Sequence, residues 1–356
     1  MSNIFSVPLD PMSVAVGIPY VCFFIILSVV GIIGNVIVIY AIAGDRNMRK
    51  SVMNILLLNL AVADLANLIF TIPEWIPPVF FGSTDWLFPS FLCPVCRYLE
   101  CVFLFASIST QMIVCIERYI AIVLPMQARQ LCSRRNVLIT VLVDWIFVAC
   151  FASPYAVWHS VKTKDRNTNS LRFKLFQLSA TCSNTVGKST WWQGYKLTEF
   201  LAFYFVPCFI ITVVYTKVAK CLWCKDPTLQ CETRSCLDNK SSSRSSDALR
   251  TRRNVVKMLI ACVAVYFVCY SPIQVIFLSK AVLNVTIHPP YDFILLMNAL
   301  AMTCSASNPL LYTLFSQKFR RRLRDVLYCP SDVENETKTY YSINNTSIVG
   351  PRASFN

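Results

Sequence analysis

CPVCRYLECVFLFASISTQMIVCIERYIAIV, residues 93–123, is apolar over most of its length, yet it carries Arg97, Glu100, Glu117 and Arg118. A helix needs about 20 mainly apolar residues to cross the hydrocarbon core of a bilayer, and this stretch is long enough. Charges inside such a run are costly unless they are paired, sit near water or face a polar interior. The spacing decides between these. Cys93, Glu100, Ser107, Gln111 and Arg118 are separated by 7, 7, 4 and 7 residues. At about 100° per residue all five lie within roughly 20° of one line. The result is a polar stripe about 27 Å long from Glu100 to Arg118, which in lipid must face the inside of a helix bundle. For Ser107 an ordinary packing hydrogen bond is an equally good explanation. For Glu100 and Arg118 a functional role is the default.

Working outward, the whole chain reads as lipid-embedded. Its 356 residues are 55% hydrophobic and only 15% charged, against about 45–50% and about 25% in soluble domains. Apolar runs of spanning length begin near Gly17, Val52, Cys93, Val137, Leu197, Val255 and Tyr291, which predicts an all-α membrane protein with seven transmembrane helices. The first run carries no Lys, Arg, Asp or Glu, and no cleavable leader precedes it. The net charge of +14 does not indicate nucleic acid, because the basic residues cluster between apolar runs. Arg46, Arg49 and Lys50 follow the first run, Arg129, Arg134 and Arg135 the third, and KFRRRLR the seventh. The N-terminus is therefore expected outside a plasma membrane and the C-terminus in the cytosol. The segment from His159 to Lys196 is basic and breaks the pattern, but the other loops outvote it.

Other runs add interior polar residues: Asn35 in the first, Asp64 in the second, and Asn308 and Tyr312 in the seventh. Glu74 and Glu199 lie toward the outer side, level with Glu100.

Together these residues resemble the rhodopsin-like (class A) G-protein-coupled receptors. The resemblance covers residues 17–328 and rests on motifs in order: GN at 34–35, LAVAD at 60–64, Cys93, ERY at 117–119, Trp145, Pro207 with Tyr215, CYSP at 269–272 and NPLLY at 308–312. It implies that Arg118 is held by Glu117, beside Tyr119, at the cytosolic end of the third helix. On activation the sixth helix swings outward and a heterotrimeric G protein enters. Tyr215 and Tyr312, the latter with Asn308 and Pro309, then move toward Arg118. The alternative for the charge pair is a mere membrane boundary marker. Asp64, Ser107 and Asn308 match the family's site for an allosteric sodium ion, although Cys304 stands where a further Asn is common. No other cofactor is expected. Ile108, Pro207, Tyr266 and Pro272, under Tyr270, form the implied transmission layer; Tyr270 replaces the more usual Trp.

Of 17 cysteines only those outside the membrane form lasting disulfides, and Cys93 with Cys182 is the natural pair. Cys221, Cys224, Cys231 and Cys236 are spaced somewhat like zinc ligands, but they lie without His in a Ser-rich loop. Cys329 suits palmitoylation at the end of an amphipathic eighth helix, residues 316–329, lying on membrane lipid. Asn284 is the outer glycosylation acceptor. Residues 1–16 form a short outer segment, about 223–252 a disordered loop, and 330–356 a tail that would recruit arrestin once phosphorylated.

For the ligand, Glu74, Glu100, Glu199 and the amide of Gln274 form a carboxylate-rich pocket that suits a guanidinium. The competing reading is that Arg97, one turn from Glu100, neutralises it. The outer loop of about 38 residues with Trp191 and Trp192, and the stretch GSTDWLFPSFLC, indicate a ligand larger than an amine. The segment from Ile116 to Cys132 is similar to the thyrotropin-releasing-hormone, ghrelin and neuromedin receptor group. The expected ligand is a short, amidated neuropeptide, with a biogenic amine as the alternative. A transporter is disfavoured by the absence of an internal repeat and by a total of 8 Gly, and an enzyme by the two His, neither mid-helix.

Overall fold

The computed structural model describes residues 14–81, 85–165, 178–187, 189–223, 242–283, 290–315, 319–321 and 324. Its elements in order are α1 (Val14–Ala43), α2 (Val52–Phe81), α3 (Leu92–Val123), the short α4 (Pro125–Leu131), α5 (Arg134–Trp158), strands β1 (His159–Asp165) and β2 (Leu178–Asn184), α6 (Thr190–Phe200), α7 (Val206–Trp223), α8 (Ser242–Leu283) and α9 (Tyr291–Phe315). A π-helical segment, Leu201–Phe205, joins α6 to α7. Among the described residues, seven spans are long and apolar enough to cross a membrane: α1, α2, α3, α5, α6 with α7, α8 and α9.

Burial ranks the spans. In α3, 61% of the most apolar window is buried, against 17% in α5 and 17% in the α6–α7 span. The helix with the polar stripe is thus the central one, and the helices without a stripe face outward. Leu138, Ile139, Leu142, Val143, Ile146 and Phe147 of α5 are all exposed. In water such a face would be an aggregation hazard, whereas against lipid tails it is solvated.

Close helix contacts need small residues where no hydrophobic effect drives association. A Cβ on Gly31 would lie 2.6 Å from Leu68 Cδ1 and 3.3 Å from the Ala306 backbone, and one on Gly34 would lie 2.9 Å from Pro309 Cβ. These two glycines let α1 settle against α2 and α9.

The structure departs from the sequence-based expectation at three places. The basic outer segment is not simply a loop: β1 and β2 pair antiparallel with Val161 opposite Cys182, and the Trp86 amide donates to the Ala180 carbonyl. The fifth span starts at Thr190 rather than near Leu197, so Trp191, Trp192 and Lys196 belong to a helix, which Ser189 caps by accepting from the Trp192 amide at 3.2 Å. The sixth span begins at Arg253, close to the expected Val255, but its helix α8 extends back to Ser242, so residues 242–252, expected to be disordered, are helical. Beyond α9, Phe319–Arg321 are helical, a short piece of the expected eighth helix. Asn284, Cys329 and residues 330–356 lie outside the described residues.

Candidate functional site

The bundle has two ends, one carrying the hairpin and one carrying Arg118. At the hairpin end Cys93 and Cys182 form a disulfide with a Cα–Cα separation of 5.6 Å. Trp86 and the free thiol of Cys96 pack around it. The expected pairing is therefore present, and it fastens β2 to the start of α3.

One turn deeper, Glu74, Arg97 and Glu100 come together. Arg97 Nη1 forms an ion pair with Glu74 and lies 3.4 Å from Glu100. The Glu74 side chain is 3% exposed, and that of Glu100 18%. Glu199 is in a second group: it pairs with Lys196 and accepts from Tyr155 Oη at 2.6 Å, while Lys196 Nζ donates to Tyr155 Oη at 2.7 Å. Lys196 also lies 5.8 Å from the Phe277 ring centroid, which brings it to α8. The three acids are thus not an open carboxylate cage. Each has an internal cation, and the competing reading of Arg97 holds and extends to Glu74. Sequence reasoning missed Lys196 and Tyr155. The i,i+3 spacing of Lys196 and Glu199 would have revealed their pairing had the helix start been placed correctly.

Around the second group His159 stacks on Tyr155 at 5.4 Å, and Trp192 and Tyr195 close the box. Burial, helped by the positive charge of Arg97, pushes His159 down to about 3, so the ring is neutral. Toward α8, Gln274 is half-buried and Tyr270 buried, with the Tyr270 ring 5.0 Å from Tyr266.

Midway, Asp64 is fully buried. Ser107 Oγ donates to it at 2.7 Å and Asn308 Nδ2 at 2.6 Å, so α2, α3 and α9 meet on one carboxylate. Asn35 Nδ2 donates to the Gly31 and Ser305 carbonyls and ties in α1. Asn308 Oδ1 is buried with no hydrogen-bond partner among the described residues. Asp64, Ser107 and that oxygen fit a hard cation, while the buried thiol of Cys304 adds a soft donor where oxygen is needed.

The residues expected to form a transmission layer show a feature set by covalent chemistry. Pro207 has no N–H, so the carbonyl four residues earlier, on Phe203, loses its helical donor. Tyr266 Oη fills the gap, donating to the Phe203 carbonyl at 2.6 Å. Tyr204 and Ser271 share a second hydroxyl bond at 2.6 Å. Two polar ties therefore hold the α6–α7 span to α8 beside the buried Ile108 and Pro207. Pro272 lies inside α8.

At the other end Arg118 Nε and Nη2 donate to the two oxygens of Glu117, a bidentate pair. Tyr119 lies under Lys217 Nζ at 6.0 Å. Tyr215 Oη is 2.9 Å from the Cys115 thiol, and Tyr312 packs edge-on against Phe319 at 6.3 Å. Pro309 is inside α9, next to Asn308. Both tyrosines thus lie elsewhere than on Arg118.

A seven-helix bundle of membrane-spanning length thus carries a disulfide-fastened hairpin over a charged cluster at one end and an Arg–Glu pair at the other. The family model described as "7 transmembrane receptor (rhodopsin family)" matches residues 34–312, and the chain belongs to that family of rhodopsin-like G-protein-coupled receptors. It is similar to the allatostatin-A receptor of Bombyx mori, 30% identical over 86% of this chain and 79% of that protein. It is similar also to galanin receptor 2b of Danio rerio, 27% identical over 94% of this chain and 80% of that protein. The tachykinin-like peptides receptor 86C of Drosophila melanogaster is 27% identical over 85% of this chain and 57% of that protein.

Proposed function

We propose that this protein is a plasma-membrane receptor for a short, amidated peptide, with the N-terminus and the hairpin end outside and the Arg118 end in the cytosol. The observation that carries the reading is that the similar receptors of three organisms are all named for peptides, and that their similarity extends over 85–94% of this chain. Glu74, Glu100 and Glu199 with Arg97 and Lys196 offer charged and polar partners for a peptide end at the hairpin end of the bundle.

Binding at the hairpin end is proposed to repack Tyr270 and the Tyr266–Phe203 joint and to move α8 outward. Arg118 then leaves Glu117, Tyr215 and Tyr312 close in, and a G protein enters. A ligand drives this only through its differential affinity for the two states. Asp64, with Ser107 and Asn308, acts as the interior acid of the switch and is the place for a sodium ion. Arrestin recruitment by the phosphorylated tail, palmitoylation of Cys329 and glycosylation of Asn284 complete the proposal.

Glu100, the most loosely held acid of its cluster, gives a biogenic amine a second reading. A calcium assay in cells expressing the receptor with a promiscuous G protein separates the two. It would test allatostatin-A, galanin and tachykinin-like peptides beside biogenic amines. A nanomolar peptide response is expected, and a response to amines alone would overturn the peptide reading.

A further inference from the structure

We propose that Gln111 and Tyr312 hold a buried water between α3 and α9, one turn beneath Asp64, and that this water keeps Tyr312 in its resting place. The holding role, though not the site, rests on the switch reading above. Of the five stripe residues on α3, four have partners: Cys93 in the disulfide, Glu100 beside Arg97, Ser107 on Asp64 and Arg118 on Glu117. Gln111 is the exception. It is only 5% exposed, and its Nε2 has no hydrogen-bond partner among the described residues. Tyr312 Oη is in the same condition, on a residue 1% exposed. Buried polar groups are not left unpaired without cost.

Register sets the two groups level. Ser107 and Asn308 both donate to Asp64. Gln111 follows Ser107, and Tyr312 follows Asn308, by four residues, which carries each about 6 Å along its helix on nearly the same face. The two helices run in the same direction. Cys93 begins α3 at the hairpin end; on α9, Leu295 clusters with Val79 near the outer end of α2, and Tyr312 clusters with Leu57 near its inner end. Gln111 and Tyr312 therefore stand between the Asp64 node and the Arg118 end. The cluster around Tyr312, which includes Leu57, Val114 and Val263, gives its hydroxyl nothing to bond.

The chemistry of the missing group follows from these partners. It has to accept from the Gln111 amide and exchange a hydrogen bond with a phenol. A cation alone leaves the Gln111 –NH2 unfilled, and an anion brings an unpaired charge into an apolar layer. Water accepts and donates, and a buried water needs about 2–4 polar partners. Asn308 Oδ1, buried, unpaired and one turn above Tyr312, offers a third.

The test is hydroxyl-radical labelling of the purified full-length receptor by radiolysis, read by mass spectrometry, since radicals formed from a bound water mark the side chains beside it. Phe105, 2% exposed and stacked on Phe203, is the dry reference. Tyr312 is expected to be labelled at least about 5-fold faster than Phe105. Gln111→Met keeps the length of the side chain and removes the amide, and Gln111→Leu is a second apolar variant should the first not fold. Either is expected to slow Tyr312 labelling at least about 5-fold while Phe105 is unchanged. A Tyr312 rate no higher than that of Phe105, or one unchanged in these variants, would overturn the site. Ligand-independent signalling at equal surface expression tests the role, and it should rise at least about 3-fold in Gln111→Met. Lost labelling with unchanged basal signalling would overturn the holding role. Labelling does not depend on signalling, so failure of the switch reading would leave the site standing.

Discussion

Two adjacent residues, Glu117 and Arg118, show how charge is held at one end of the bundle. Glu117 is buried, and both of its oxygens are taken by Arg118. A Glu117→Gln substitution keeps the shape but removes the charge that holds the guanidinium. On the proposed switch it should raise ligand-independent signalling several-fold at equal surface expression, as read in a second-messenger assay. His159 offers a test of a different kind. Its ring is only 5% exposed, and its folded pKa is pushed down to about 3, below the ordinary value of about 6.5. The unfolded chain therefore binds the extra proton first. Stability contributed by the neutral ring is complete above about pH 6.5 and is lost as the pH falls from there toward about 3. The melting temperature of the purified receptor should decline over that window, and His159→Gln should flatten the decline. At this scale ERY and Asp64 were legible in the sequence because local pattern defines them, and the disulfide cysteines because both fall on the outer side of the spans. The partner of Glu74 was not, because Glu74 and Arg97 meet across two helices, and that of Glu199 was hidden by the misplaced start of its helix.

Among the elements, the joint between the α6–α7 span and α8 depends on a missing hydrogen. Pro207 frees the Phe203 carbonyl, and Tyr266 satisfies it. Removing the hydroxyl in Tyr266→Phe should destabilise this joint by about 1 kcal/mol and raise basal signalling. In a Pro207→Ala background the restored amide serves Phe203, so the added effect of Tyr266→Phe should shrink. Strict additivity in that double-mutant cycle would deny the coupling. Gly31 is the corresponding test of α1. A Val there has its Cβ 2.6 Å from Leu68 Cδ1 and should cost about 1–3 kcal/mol by overpacking, seen as lower surface expression. Nothing lies within 4 Å of a Cβ on Gly194, so Gly194→Ala serves as the control. The seven spans were readable from hydropathy. The hairpin was not, since Lys162, Lys164 and the polar residues of 178–184 carry no strong strand pattern. The start of the fifth span was missed because Gln193, Gly194 and Lys196 lower its hydropathy.

Over the whole molecule, α3 is the continuous link between the two ends. It carries Cys93 of the disulfide, Arg97 and Glu100 of the charged cluster, Ser107 on Asp64, the buried Ile108 and, at the far end, Arg118. The spacing that marked a polar stripe in the sequence thus runs from one end of the bundle to the other. The chain is similar to receptors named for allatostatin-A, galanin and tachykinin-like peptides, which bears out the neuropeptide-receptor resemblance. The most direct test of the link is to measure peptide binding and G-protein activation in parallel on the parent receptor and on Arg118→Ala. The account predicts that the variant reaches the surface and binds the activating peptide, while G-protein activation is lost. Normal G-protein activation by Arg118→Ala would contradict it.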